Sequence, residues 1–312
     1  MTGSVVVALG GGHGLAASLR ALRLLTDQIT AVVTVADDGG SSGRLREEFG
    51  VLPPGDLRMA LAALCDDTEW GHQWRDLLQH RFAGDGPLGG HAVGNLLIVS
   101  LWDLLGDTVG GLDLVGRLLN AHGRVLPMAA VPLNIEANVL GAEPEESFEI
   151  TTVQGQAAVA TTRGRVLSVR LNPQAPPACD EAVAAIHAAD WVILGPGSWF
   201  TSVIPHLLVP GIRDALIATR AKRVLTLNLV MQTVETVGFS AKNHLEVLAA
   251  HAPELRLDYV LADPDVVDDE ALLRRVAADL GAELVIAGVG DRVSPGNHDS
   301  LRLAAAYRDI IR

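Results

Sequence analysis

Two hydrophobic periods take turns along this chain. The apolar run Val5-Val6-Val7-Ala8-Leu9 shows no alternation, which predicts a strand covered on both faces. After a cluster of glycines, residues 15–25 carry apolar side chains at helical spacing, and residues 29–35 form a second β-branched run. That opening reads as a βαβ unit. Residues 36–43 are all turn chemistry, and helical spacing predicts helices over 56–64, 74–82, 93–105 and 112–121. From 125 to 172 the pattern changes. Short β-like stretches (125–133, 148–153, 156–161 and 166–171) alternate there with Gly, Asn and Pro and predict an antiparallel ribbon. Alternation then resumes, with helices over 181–188, 212–219, 245–250, 270–280 and 299–311 and strands over 191–194, 224–229, 257–261 and 283–287. The whole predicts an α/β fold, a doubly wound and mostly parallel sheet with a small antiparallel β insertion. Residues 1–124 and 173–312 are two parts of one body, and 125–172 is inserted between them.

Charge and composition narrow the partners. The 24 basic and 37 acidic residues leave a formal charge of −13. Such a surface repels polyanions, so neither nucleic acid nor an anionic membrane is expected as a partner. A small phosphorylated ligand stays open, because local dipoles bind anions even on an acidic protein. Lys222 and Lys242 are the only lysines, so chemistry that needs a lysine has two candidates. Cys65 and Cys179 show no CxxC pair and no metal spacing, which predicts buried free thiols in a reducing compartment. The first residues lack a basic leader region, and the apolar helix near 96–105 carries Asp103 and is too short to span a bilayer. A cytoplasmic protein is the expectation.

Four segments carry candidate chemistry. Gly10-Gly11-Gly12-His13-Gly14 lies between the first strand and the first helix. Glycines let the backbone turn sharply and approach a ligand, and the free N–H groups and dipole of the next helix favour an anion. Gly12, Gly14 and Ala17 fit G-x-G-x-x-A, and Asp37 lies 20 residues further on, a dinucleotide-like spacing. His13 either bonds the ligand or faces solvent. In the second segment, Asp37-Asp38 before Gly39-Gly40-Ser41-Ser42, adjacent carboxylates on an extended chain point opposite ways. One would take a ribose hydroxyl or Mg²⁺ while the other caps the loop. Arg44 stands where a Walker loop needs lysine. Third, Asp56 follows Pro53-Pro54-Gly55 and is either a helix N-cap, its commoner use, or a second metal carboxylate. Fourth, Gly195-Pro196-Gly197-Ser198, with Thr201 and Ser202 beyond, follows an apolar strand and so falls at the carboxyl edge of the sheet, where α/β proteins bind ligands. Ser198 suits hydroxyl-to-phosphate bonding better than nucleophilic attack, since G-x-S-x-G is not matched. Asn95, in the His91–Asn95 run, and Asn228, leaving a later strand, are ligand or capping groups.

Taken in order, Gly10-Gly11-Gly12-x-Gly14-Leu15, the stretch 33–46 with its ADDGGSSGRLR core, Pro53-Pro54-Gly55-Asp56-Leu57-Arg58, Gly94-Asn95-Leu96 and GPGS..TSVIP over 195–205 resemble one family. It is that of the YvcK-type gluconeogenesis factors, relatives of the 2-phospho-L-lactate transferase CofD. The resemblance runs from Val5 to about Thr236. It implies a Rossmann-like fold and a regulator needed for cell shape and cell-wall growth on gluconeogenic carbon sources. Such a regulator would bind a UDP-sugar such as UDP-N-acetylglucosamine, with cell-wall synthesis regulators as partners, and would form a homodimer. The transferase branch holds Mg²⁺ on an aspartate at the end of strand two and another in a P-x-x-D segment, which match Asp38 (or Asp37) and Asp56. This chain departs from the family pattern at His13, where threonine is commonest, at Ala92-Val93 and across Val230-Met231-Gln232-Thr233-Val234, while Glu235 and Thr236 are kept. The Gly-Gly-Ser-Ser run after Asp37-Asp38 argues against deazaflavin substrates.

Three functions follow for comparison. The leading one is the nucleotide-sugar-binding regulator, whose ligand must favour one of two protein states if it is to signal. Its contacts are expected on Gly10, Gly11, Gly12, His13, Gly14, Asp37, Asp38, Asn95, Gly195, Pro196, Gly197, Ser198, Thr201 and Asn228, with any Mg²⁺ on Asp38 and Asp56. The second is a Mg²⁺-dependent transferase acting on a nucleotide-activated phosphate ester. The third, an NAD(P)-dependent oxidoreductase, has the fold but no evident acid/base pair for hydride transfer.

Overall fold

The computed structural model describes residues 3–142, 149–231 and 233–311. β1 (Val6–Gly10) is buried along its whole length and leads through α1 (Gly12–Leu22) into β2 (Ile29–Val33), the expected βαβ opening. Five helices follow: α2 (Gly40–Phe49), α3 (Gly55–Leu64), α4 (Glu69–Gln79), α5 (Val93–Leu105) and α6 (Thr108–Leu118). The chain returns to the sheet at β3 (Arg124–Pro127). β4 (Asn134–Leu140), β5 (Ile150–Gln154), α7 (Gln156–Thr161) and β6 (Arg165–Asn172) make the insertion. Next come α8 (Asp180–Ala188), β7 (Trp191–Leu194) and a π-turn over Trp199–Val203 that runs into α9 (Ile204–Leu208). The chain closes with α10 (Pro210–Ala218), β8 (Lys222–Thr226), α11 (Ala241–His251), β9 (Tyr259–Ala262), α12 (Glu270–Asp279), β10 (Glu283–Ile286) and α13 (Ser300–Ile310).

The large sheet is parallel, in the order β10-β9-β8-β7-β1-β2-β3. From β1 the chain builds outward through β2 and β3, then crosses back to start the other half at β7. Strand order therefore reverses between β1 and β7. Loops leaving those two strands diverge and open a crevice at the carboxyl edge, the usual ligand position in such sheets. Val7, Ala8, Val192 and Ile193, on the two central strands, are fully buried. That burial on both faces is why these runs read as unbroken apolar sequence.

The last helix docks on the first. The buried Tyr307 hydroxyl lies 2.9 Å from both Ser18 Oγ and Thr226 Oγ1, and the Ser18 hydroxyl donates to the Gly195 carbonyl at 3.1 Å. Burial pushes the Tyr307 phenol up to about 12, so it remains a neutral hydrogen-bonding group.

The structure departs from the pattern in three places. The run after β2 is not all turn: α2 begins at Gly40, with Ser41 and Ser42 buried in its first turn. The stretch expected as a ribbon strand over 125–133 joins the large sheet instead, as β3 pairs parallel with β2. The insertion is a three-stranded antiparallel sheet, β5-β4-β6, and residues 156–161 form α7 rather than a strand. Ala157, Ala158 and Ala160 favour helix, and the start of α7 is fixed from far away, since the Asp38 carboxylate accepts the Ala157 N–H at 2.9 Å. Phe148, the first residue of the strand expected over 148–153, lies outside the described residues, as do Met1, Thr2 and Gln232. Cys65 and Cys179 are buried and unpaired. Among the described residues no single helix is long and apolar enough to cross a membrane.

Candidate functional site

The crevice between β1 and β7 holds a cleft of about 600 Å³. One wall is α1, which presents His13, Gly14, Ala17 and Arg20 at successive turns. Pro196, Gly197 and Ser198 form the floor. The far wall comes from Asn228, Leu229, Val230 and Thr233 after β8, and from Asp291, Gly296, Asn297 and His298 before α13. A groove of similar volume between α6 and β3 lies at the sheet's edge, away from these loops.

The glycine turn does more than face a ligand. At Gly14 a Cβ would collide with the Pro196 carbonyl, so α1 and the 195–198 loop are wedged together there. Gly10 and Gly11 are buried beneath them. Among the orphan N–H groups of the first turn, that of Gly12 faces the Asp56 carboxylate. His13 and Gly14 themselves line the cleft. Asn228 also acts on the loop: its Oδ1 accepts the Gly197 N–H at 2.9 Å, and its Nδ2 donates to the Gly197 carbonyl at 2.8 Å. That clamp leaves the Ser198 hydroxyl exposed at the floor. Gly195 and Thr201 lie behind this surface and do not line the cleft, and Thr201 is fully buried. Deeper still, Glu235 is buried under the π-turn. The N–H groups of Trp199 and Phe200 and the Thr201 hydroxyl are near it, but none reaches bonding geometry, and burial pushes its carboxyl up to about 7.

On the other flank of the glycine turn is a second cavity of about 380 Å³, bordered by Asp37, Ser41, Ser42, Asp56, Arg58, Arg81 and Asn95. Here the two aspartates after β2 part company. Asp37 caps its own loop, accepting the Gly39 N–H at 3.0 Å, and also borders the cavity. Asp38 turns away to cap α7. Asp56 is not an N-cap; Pro54 holds that position, and Asp56 sits inside the first turn of α3. Its carboxylate presses on Gly11, where a Cβ would stand 2.6 Å from Oδ2. Burial first, then the charge of Asp37, pushes Asp56 up to about 7. Asn95 Nδ2 donates to Ser41 Oγ at 2.9 Å, while its Oδ1 is buried without a partner.

The carboxylates that share a cavity are thus Asp37 and Asp56, not Asp38 and Asp56. This pair fits Mg²⁺, which binds through one or two carboxylates and completes its shell with water and substrate oxygens. A cation there would answer the repulsion that raises Asp56. Among the described residues no group of three or more His, Cys, Asp or Glu forms an all-protein metal cage.

Sequence reasoning did not single out Arg20, Asp291, His298, Arg58 or Arg81. Arg20 had a signal, as it repeats the helical face of His13 and Ala17. Asp291 and His298 arrive from a Gly- and Pro-containing loop whose place in the fold only the tertiary structure supplies. His298 is mostly buried, its Nε2 has no partner, and burial lowers its pKa, so it enters the cleft as a neutral ring.

The profile of the 2-phospho-L-lactate transferase family, CofD, matches residues 6–291. A Mycobacterium tuberculosis (strain H37Rv) protein named "Putative gluconeogenesis factor" is 55% identical over 308 residues, 98% of this chain and 90% of its own length. The "Gluconeogenesis factor" of Bacillus subtilis (strain 168) is 38% identical over 265 residues, 85% of this chain and 80% of its own. A crystal structure of a UPF0052-family protein from Bacillus halodurans superposes with a TM-score of 0.86 at 32% identity, covering 98% of this chain and 99% of that one.

Proposed function

The chain belongs to the CofD family, and from that premise we propose that it is a nucleotide-sugar-binding regulator in the cytoplasm. A UDP-sugar occupies the cleft between β1 and β7, and cell-wall synthesis regulators read its presence during growth on gluconeogenic carbon. The cleft is the observation that supports this. Its volume of about 600 Å³ falls in the range of small-molecule sites. The first-turn N–H groups of α1, the Ser198 hydroxyl and the Arg20 guanidinium suit a diphosphate. Leu229 and Val230 give a base or a sugar face an apolar wall. The relatives' printed name, gluconeogenesis factor, supports the link to growth on gluconeogenic carbon.

One observation favours a second reading, a transferase acting on a nucleotide-activated phosphate ester. Asp37 and Asp56 stand together beside the glycine turn, where they would hold Mg²⁺. Bound there, the ion would neutralise charge on a transferring phosphate.

Calorimetry and thermal shift with UDP-N-acetylglucosamine, GDP and NAD(P), in Mg²⁺ and in EDTA, separate the readings. The regulator proposal expects a UDP-sugar to bind without turnover and Arg20→Gln to weaken it. Ligand at 100 times its Kd should add about 2.7 kcal/mol of stability. The absence of both heat and a thermal shift with every one of these nucleotides overturns the proposal. Turnover of a nucleotide ester that Asp56→Asn abolishes replaces it with the transferase.

A further inference from the structure

Behind the cleft, one buried carboxyl joins the floor to the far wall. Thr233 borders the cleft and also caps the single helical turn Val234–Thr236, its N–H donating to Thr236 Oγ1 at 3.0 Å. The Thr236 hydroxyl donates in turn to the Met231 carbonyl at 2.8 Å, so Glu235 stands on a braced segment. On the floor side, the Ser198 carbonyl accepts the Ser202 N–H at 2.8 Å and fastens Ser198 to the π-turn. The first N–H groups of a helical turn have no partner within it. Those of Trp199 and Phe200 face the Glu235 carboxyl, as does the Thr201 hydroxyl. Glu235 is only 4% exposed, and neither of its oxygens nor the Thr201 hydroxyl has yet met hydrogen-bond geometry. The elements packed around it bring no free countercharge. α7 has no ionisable side chain, and on β6 Arg170 pairs with Glu136 while Arg165 is exposed. Burial keeps His206 on α9 and His244 on α11 neutral, the latter with its ring 4.8 Å from that of Trp199.

We propose that Glu235 is a positioning residue for the ligand of the cleft: its carboxylate, accepting from the Trp199 and Phe200 N–H groups and the Thr201 hydroxyl, acts as a strut that sets the Ser198 floor against the Thr233 wall. The inference rests on the reading of that cleft as a nucleotide site. Three donors converge on the carboxyl, and only the anion is purely an acceptor. Charge-assisted bonds to backbone N–H groups are also the stronger ones. The protonated acid brings a fourth donor among the three, and the strut slackens. A glutamine would carry no charge into this interior, but its amide would likewise set donors against donors. Burial pushes Glu235 up to about 7, so the strut is made and unmade across the neutral range. π-turns are rare and occur mostly at functional sites, and this one carries the floor of the cleft.

Calorimetric titration of the full chain with UDP-N-acetylglucosamine at pH 6 and pH 8 tests the proposal, together with the amide spectrum of the ligand-free chain over the same range. A ligand that needs the anion of a group titrating near 7 gains about tenfold in affinity across that interval. The sign is diagnostic. A histidine losing its proton in the cleft, or Asp56 gaining a charge beside the glycine turn, would make an anionic ligand bind less well as pH rises. The parent should therefore gain about tenfold, and Glu235→Gln should be flat and as weak as the parent at pH 6. Without ligand, the Trp199 and Phe200 amide signals should titrate with a midpoint near 7 in the parent and stay fixed in the variant. If Glu235→Gln does not fold, Thr201→Val replaces it: loss of one donor to the anion should move the amide midpoint to higher pH. Affinity that falls with pH, an equal rise in Glu235→Gln, or amides that do not titrate overturns the proposal. Titrating amides without any nucleotide binding support the strut and overturn the nucleotide reading alone.

Discussion

Two carboxyls, the half-buried Asp56 and the buried Glu235, are each raised to about 7. A carboxyl that holds its proton more tightly in the folded chain contributes stability that is fully present below about pH 4 and is lost as pH rises through about 7. The loss is on the order of 3 kcal/mol for each. Urea unfolding between pH 4.5 and 8 should therefore show Asp56→Asn and Glu235→Gln each gaining on the parent toward high pH, and the double variant gaining most. Magnesium should remove the Asp56 share and leave that of Glu235, because only Asp56 has a second carboxylate beside it. Equal responses of the two variants to the metal would dissociate Mg²⁺ from this pair. At this scale the sequence was a partial guide. Turn glycines and the doublet Asp37-Asp38 announced a site, and the opposite directions of adjacent side chains on extended backbone announced that only one aspartate would serve it. Which one was invisible, since the choice depends on α7, whose N–H lies 119 residues away from Asp38.

Among the elements, β1, β7 and α5 were the most legible. Unbroken apolar runs or steady helical spacing gave their residues almost to the boundary. α2 and α7 were the least legible, because their starts depend on partners distant in sequence. Ser41 of α2 is held by His91 at 3.0 Å and by Asn95, and α7 has its cap from Asp38. The same dependence makes the two aspartates separable by experiment. Removing a helix cap costs about 1 kcal/mol, so Asp38→Ala should speed hydrogen exchange of the α7 amides and leave any stabilisation by Mg²⁺ intact. Asp37→Asn should do the reverse, removing the response to Mg²⁺ while α7 stays protected. A loss of the metal response in Asp38→Ala would return that aspartate to the cation site.

For the molecule as a whole, strand order decides where a ligand goes. The reversal between β1 and β7 brings together two loops separated by some 180 residues of sequence, and alternation of strands and helices foretold such a reversal without saying which strands flank it. The cleft has a third support in Tyr307, through Ser18 and the Gly195 carbonyl. Tyr307→Phe leaves the Ser18 and Thr226 hydroxyls buried without that partner, at a cost of about 1–3 kcal/mol. It should also weaken nucleotide binding, although residue 307 touches no part of the cleft. Lowered stability with unchanged ligand affinity would show that the tie carries no message to the loop. That tie has a bearing on the order in which the molecule assembles. Ser18 and Tyr307 lie 289 residues apart in sequence, so the brace behind the loop can close only after both halves of the sheet have formed and met, and contacts of such long range are the slow ones. The turn takes its shape from neighbours in sequence, while its backing waits for the far side of the fold.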